Sequence, residues 1–129
     1  MTLRVVRLGT PRQAGEGLRF GTVRRPPRGV PKARHARDDW YDLWLPELAP
    51  SEALVKQAQR AGSPKDWAAF GRKYRREMAA PDKARLLALL AALSASANFS
   101  VGCYCEDESR CHRSVLRELL REHGATLAR

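Results

Sequence analysis

The sequence predicts a small α/β fold, in which a mostly parallel sheet is flanked by helices as in a Rossmann-like sandwich. Two short apolar runs near the N-terminus, residues 3–8 and 18–23, have the pattern of strands. Three helical patterns follow, and residues 99–123 then form a strand, a loop and a helix. The length of 129 residues predicts a single domain over residues 1–129.

The three central helices have recognisable start and stop signals. Ser51 is placed to cap the first helix, and Ser63, followed by Pro64, begins the second. Pro81 ends the second helix and opens a third over about residues 82–95, which is the most apolar of the set. We therefore expect the third helix to pack directly on the sheet.

Two chemically distinctive loops are predicted to follow strands. Residues 24–32 are rich in arginine and contain three prolines, which exclude regular strand pairing. The run at residues 99–105 alternates as a strand and leads through an acidic loop into a helical pattern over residues 111–123, which begins with a Cys-His-Arg sequence. Because ligands of open α/β sheets bind outside the carboxyl ends of the strands, we expect both loops to meet at one rim.

The positive charge is concentrated in the first third of the chain. The net charge is +10, and residues 1–37 hold ten Arg or Lys residues against the single acid Glu16. This asymmetry favours a phosphate, nucleotide or nucleic-acid partner, although a solvated basic loop would give the same pattern. The sequence lacks a long apolar run and a signal-peptide pattern, and its three cysteines are clustered, so a cytoplasmic location is expected.

Cys111 and His112 are the candidate catalytic residues. A cysteine at a helix N-terminus has a lowered pKa, and a neighbouring histidine is able to act as a general base or to bind an anion. The alternative for Cys111 is a small buried thiol that packs the helix against the strand. The alternative for His112 is a structural side chain that hydrogen-bonds carbonyl groups of the loop. Arg113 aligns with the solvent-facing side of the last helix, so we expect it to point outward or over the loop mouth.

The three cysteines and His112 also offer a metal site as a second interpretation. Cys103, Cys105, Cys111 and His112 are four residues of the types that bind zinc. Their spacing, Cys-x-Cys followed by adjacent Cys-His, differs from the two to four residues that separate ligands in structural zinc sites. The sequence analysis therefore predicts no metal ligands and no cofactor, and keeps a thiol-based metal or redox site as an alternative.

Four segments in order resemble the bacterial and archaeal family catalogued as domain of unknown function 488, which includes the YeaO-like proteins. The first, residues 23–29, lacks the tryptophan of the family pattern and has Arg24 in place of its aspartate. The other three are residues 44–51, residues 67–77, and Cys103 with residues 111–114. The resemblance implies a compact α/β fold with a loop-lined site at one rim, and it implies no particular reaction.

The function expected from these observations is binding of an anion at that rim. The predicted anion contacts are Arg25 and Arg28 from one loop, and His112 and Arg113 from the other. A phosphorylated small molecule or a nucleotide fits this set, and a nucleic-acid-binding accessory protein is the alternative. The sequence leaves open whether the protein is an enzyme and which oligomeric state it has.

Overall fold

The structure is a computed structural model that describes residues 1–128 and contains a four-stranded, all-parallel sheet. The strand order is β1-β4-β2-β3. The strands are β1 (Leu3–Arg7), β2 (Leu18–Gly21), β3 (Leu43–Trp44) and β4 (Phe99–Cys103). The small parallel α/β fold predicted from the sequence is therefore confirmed.

Four α-helices and three short 3₁₀ turns complete the described chain. The helices are α1 (Glu52–Arg60), α2 (Pro64–Met78), α3 (Pro81–Leu93) and α4 (His112–Glu122), and the 3₁₀ turns are Lys32–Arg34, Pro46–Leu48 and Glu108–Arg110. The caps predicted for the first two helices are present. Ser51 Oγ accepts from Leu54 N at 3.3 Å, and Ser63 Oγ accepts from Asp66 N at 3.2 Å. No helix in residues 1–128 combines the length and apolarity that crossing a membrane requires.

The two faces of the sheet are covered differently. One face joins apolar residues of all four helices in the main core, including Tyr74, Leu116 and Val101. The other face is covered by loops, and its centre holds a buried polar group formed by Arg19 and Ser100 with Glu16. The helix α3 contributes Leu87 and Leu90 to the main core and packs mainly against α4 and α2, so its expected direct packing on the sheet stays a prediction.

The structure shortens all three predicted strands, since the runs at residues 3–8, 18–23 and 99–105 end as strands at Arg7, Gly21 and Cys103. The strand expected over residues 99–105 ends at Cys103, and all five residues of β4 are buried because the strand has neighbours on both sides. After Cys103 the chain leaves the sheet, and the hydroxyl of Tyr104 donates to Arg25 O at 2.8 Å. Near the end of the described chain, Leu127 forms a single parallel bridge with Leu3, next to the edge strand β1.

Gly102 is expected to be required for packing at the end of β4. A Cβ at this position would lie 2.7 Å from Leu8 Cδ2 and 2.8 Å from Val6 O, and the backbone atom has little room to move. Gly102→Ala should lower the free energy of unfolding by about 1–3 kcal/mol, measured by urea denaturation. Gly62→Ala is the matched control, because a Cβ there meets nothing within 4 Å. Equal stability of the two variants would contradict this account of the packing.

Candidate functional site

The carboxyl ends of the strands open into one cleft of about 1350 Å³. Because the sheet is parallel, the loops that follow β1, β2 and β4 emerge at the same edge. The arginine-rich loop lines this cleft with Arg25 and Arg28, and the segment after β4 lines it with Cys105, Cys111 and His112. The two segments singled out in the sequence therefore lie on one shared cavity.

Hydrogen bonds to the backbone of neighbouring segments fix the arginine-rich loop in place. Arg24, which the sequence analysis left out of the candidate site, donates from Nε to Pro50 O at 3.0 Å and from Nη2 to Ala49 O at 3.1 Å. The Tyr104 hydroxyl donates to Arg25 O and so ties this loop to the segment after β4. Arg24 is thus a structural residue, and its bonds fix the position of its neighbours in the cleft wall.

Arg25 and Arg28 differ in how free their charges are. The guanidinium of Arg25 is mostly exposed and forms an ion pair with Glu52 at the start of α1. Arg28 is exposed, lines the cleft and forms no ion pair with any residue of the described chain. Arg28 is therefore the residue of the arginine-rich loop whose charge is most available to a ligand.

The floor of the cleft is a cluster of sulfur atoms. Cys103 Sγ lies 3.8 Å from Cys105 Sγ, and Cys111 Sγ lies 3.8 Å from His112 Nδ1. Cys103 and Cys111 are buried, whereas Cys105 is partly exposed, and all three cysteines are free thiols. The strand end and the helix start therefore bring together residues that are up to nine positions apart in the sequence.

The orientation of His112 is fixed from the opposite side of its ring. His112 Nε2 lies 2.8 Å from the carbonyl oxygen of Thr22, which only accepts, so Nε2 carries the hydrogen and donates it. In the neutral ring, Nδ1 then has a free lone pair and faces the Cys111 thiol. Tyr74 packs edge-on against the same ring, with the two centroids 5.5 Å apart. His112 is thus held as an acceptor or ligand at the cleft floor.

The surroundings of Cys103 and Cys105 shift the pKa values of these two thiols in opposite directions. Hydrogen bonds from Cys103 and Cys111, together with the nearby charge of Arg113, lower the pKa of Cys105 below its ordinary value. Hydrogen bonding to Cys105 and Cys111, with burial, raises the pKa of Cys103. Among these two thiols, the partly exposed Cys105 is the one stabilised as a thiolate.

Of the two orientations expected for Arg113, outward or over the loop mouth, the outward one is wrong. Its side chain is buried, and Nη2 donates to Cys105 O, while Arg113 Nε has no hydrogen-bond partner in the described chain. The helical repeat placed Arg113 with solvent-facing Arg117 and Arg121, but in the first turn of α4 the long side chain folds back over the preceding loop. Arg113 therefore holds the loop after β4.

Much of the basic N-terminal segment is neutralised internally. Arg19 is fully buried and pairs with Glu16 at 2.8 Å, and Arg12 lies 2.7 Å from a carboxylate oxygen of Asp42. Arg34 and Arg25 also pair with carboxylates. Four of the ten bases in residues 1–37 thus have acidic partners, so the charge offered to a polyanion is smaller than the sequence count indicates.

Thr22 and Tyr104 are the site residues that sequence reasoning missed. Thr22 orients His112 through its backbone carbonyl, and Tyr104 joins the two loops through its hydroxyl. A backbone contact leaves no mark in residue type, so Thr22 had no signal. Tyr104, an aromatic residue between two cysteines at the strand end, was visible as part of the alternating run and was left unassigned.

Comparison of the sequence with family profiles confirms the resemblance to the DUF488 family. No curated protein and no solved structure matches the chain. The sequence profile of the family DUF488-N3a, described as "Active DUF488-N3 subclade", matches residues 3–124. This match extends from β1 through α4, so it includes both loops of the cleft and the whole sulfur cluster. With nearly the entire described fold inside the match, the chain belongs to the DUF488-N3a family.

Proposed function

We propose that the cleft binds a small anionic ligand, either a phosphorylated small molecule or a nucleotide. The observation that carries this proposal is the shared cleft itself, in which the arginine-rich loop and the Cys-His turn line one cavity. A volume of about 1350 Å³ at the carboxyl edge of a parallel sheet accommodates a ligand of this size.

Arg28 is the principal anion contact in this proposal. Its guanidinium is exposed to the cleft and has no carboxylate partner in residues 1–128, so no ion pair has to be broken before it binds a ligand. Arg25 contributes after exchanging Glu52 for the anion. Guanidinium groups offer two parallel N–H donors to a phosphate or carboxylate, which gives geometric selectivity.

His112 and Arg113 take different parts from those expected. His112 lines the floor, but its Nε2 hydrogen is already donated to Thr22 O, so a neutral His112 faces the cleft as an acceptor. Arg113 acts from behind the loop, where it adds positive charge beside Cys105 without lining the cleft. The anion is therefore held chiefly by the arginine-rich loop, above the Cys111 and His112 floor.

A small-ligand site is favoured over a nucleic-acid surface by the distribution of free charge. Arg12, Arg19, Arg25 and Arg34 are paired with carboxylates. A nucleic-acid surface needs several unpaired cations along one face, because its affinity comes from many phosphate contacts. Within residues 1–128, Arg7, Arg28, Lys56 and Arg110 have no carboxylate partner and line one concave cleft, an arrangement that fits a compact anion better than an extended strand.

The test is a calorimetric titration with inorganic pyrophosphate and with a nucleoside triphosphate at low salt. Arg28→Ala should weaken binding about tenfold or more, because one charge-assisted contact contributes about 1.5–3 kcal/mol. Arg121→Ala, an exposed arginine outside the cleft, is the matched control and should bind like the unaltered protein.

Two results would overturn the small-anion proposal. One is the absence of binding to either probe at millimolar concentration. The other is equal weakening by Arg28→Ala and Arg121→Ala together with duplex DNA binding that falls steeply with salt, which would establish the nucleic-acid alternative.

A further inference from the structure

We propose that Cys103, Cys111 and His112, with Cys105 as the fourth ligand, bind one divalent metal ion of the zinc class. The ligand atoms of the first three residues lie within 4.8 Å of one another, and all three residues are buried. Cys105 Sγ lies 3.8 Å from Cys103 Sγ, outside the 4.8 Å that spans the other three ligand atoms, and moves toward the ion to complete the set. Three sulfurs and one imidazole nitrogen form the Cys₃His set that is typical of tetrahedral zinc sites.

Two separations within the cluster match those of a tetrahedral ion. A metal–sulfur bond of about 2.3 Å and tetrahedral angles place two sulfurs about 3.8 Å apart. This is the distance between the sulfur atoms of Cys103 and Cys105. A sulfur and a nitrogen on the same ion would be separated by about 3.6 Å, close to the 3.8 Å between Cys111 Sγ and His112 Nδ1.

His112 already has the second contact that metal-binding histidines need. Such histidines donate their remaining ring N–H to a carbonyl or carboxylate, which fixes the ring and leaves the other nitrogen for the metal. His112 Nε2 donates to Thr22 O at 2.8 Å, and Nδ1 faces the sulfurs. The ring therefore requires no change of tautomer to become a ligand.

The backbone conformation at Cys111 explains how two adjacent residues, whose spacing is unusual for a zinc site, are able to bind one ion. Cys111 is the N-cap of α4 and has an extended conformation, with φ −142° and ψ 152°, whereas His112 is the first helical residue. The change of backbone conformation between them lets two adjacent side chains face one point. Cys103 and Cys105 are brought to that point because β4 ends at Cys103.

The charge around the cluster suits a bound ion. Three thiolates and one divalent cation carry a net charge of −1, and the always-charged Arg113 is buried beside them. Its Nη2 bonds Cys105 O, and its Nε hydrogen has no acceptor within residues 1–128. A buried arginine beside a negatively charged metal–thiolate group obeys the rule that buried charges are paired.

The metal and a free nucleophile are alternative states of the same atoms. A sulfur bound to the ion does not act as the free thiol that the sequence analysis considered for Cys111. The observation that favours the metal is the presence of two further thiols and a preoriented histidine, since a nucleophile–base pair requires only Cys111 and His112.

The experiment measures metal binding directly in the full chain. Protein purified under reducing conditions without chelators is analysed for zinc by elemental analysis, and metal-free protein is titrated with Co²⁺. We expect one zinc per chain, thiolate-to-cobalt charge-transfer absorption, intense visible bands of tetrahedral Co²⁺, and their loss on adding zinc. This readout is independent of anion binding, so failure of one proposal is distinguishable from failure of the other.

Variants assign the ligands. Cys111→Ser and Cys103→Ser should each weaken Co²⁺ binding at least tenfold, and Cys105→Ser should retain binding with an altered spectrum, because the three buried ligands remain. The matched control is His123→Asn, an exposed histidine that should leave the titration unchanged. A circular dichroism spectrum shows that each variant is folded.

Three outcomes would overturn the metal proposal. The first is less than about 0.1 equivalent of zinc with no tetrahedral Co²⁺ spectrum in reduced, folded protein. The second is a stable disulfide between two of the cysteines, whose reduction gives protein that still binds no metal. The third is a cobalt spectrum abolished by His123→Asn and retained in Cys111→Ser, which would place the ion at the surface.

Discussion

Glu16→Ala is expected to lower the free energy of unfolding by about 3–5 kcal/mol, because it leaves Arg19 charged and buried without its partner. Both side chains are almost completely buried. Arg19 Nε lies 2.8 Å from Glu16 Oε2, and Arg19 Nη2 lies 3.0 Å from Glu16 Oε1. The Ser100 hydroxyl donates to the same carboxylate at 2.9 Å, so the pair also joins β2 to the loop before it and to the central strand. Urea denaturation measures the loss.

A double-mutant cycle separates this ion pair from packing at the same place. Arg19→Met with Glu16→Leu removes both charges while keeping apolar volume, so the double variant should be more stable than the sum of the single effects predicts. Strictly additive effects would show that the two side chains are not coupled, in conflict with the distances between them.

The same carboxylate gives the protein a defined acid sensitivity. Burial opposes ionisation of Glu16, but hydrogen bonds from Arg19 and Ser100 outweigh it, so its pKa lies below the ordinary 4.5. A folded-state pKa below the unfolded value contributes stability above about pH 4.5, and this contribution is lost as the pH falls through the folded pKa. Glu16→Gln should therefore show a flatter dependence of stability on pH below 4.5.

His112→Ala is expected to cost about 3 kcal/mol of stability and to disturb the cleft floor. The substitution leaves a cavity beside Tyr74 and deprives the carbonyl of Thr22 of its buried donor. It also removes the nitrogen that faces the Cys111 thiol. Thermal and urea unfolding measure the stability, and the rate of thiol alkylation reports the floor, where we expect faster labelling.

His123→Ala is the matched control for this substitution. His123 follows α4 and is exposed, so its removal should change the free energy of unfolding by less than about 0.5 kcal/mol. If the two histidine variants were equally stable, His112 would not have the buried bonding role assigned to it, and the account of the floor would be wrong.

The overall fold was predictable because its signals are local. The apolar runs near residues 3–8 and 18–23, the serine caps and the prolines each act within a few residues, and they correctly indicate strands and helix starts. The meeting of the two loops was also predictable, since it follows from parallel pairing alone.

The details of the site were less predictable because they depend on contacts through space. The helical repeat leaves Arg113 either outward or over the loop mouth, and only its position in the first turn, from which it reaches the loop carbonyl behind it, decides between them. Glu16 was visible as the one acid of a basic segment, yet nothing local shows that it neutralises buried Arg19. The convergence of Cys103 with Cys111 and His112 requires the backbone change at the N-cap of α4, which spacing rules do not include.

We propose that the arginine-rich loop and the Cys-His turn contact one ligand together, and this shared contact is directly measurable. The most direct measurement is a titration of ¹⁵N-labelled protein with inorganic pyrophosphate, followed by NMR. We expect backbone amides of residues 24–29 and of residues 103–113 to shift with the same dissociation constant. Shifts confined to one segment, or spread over exposed basic residues outside the cleft, would contradict the account.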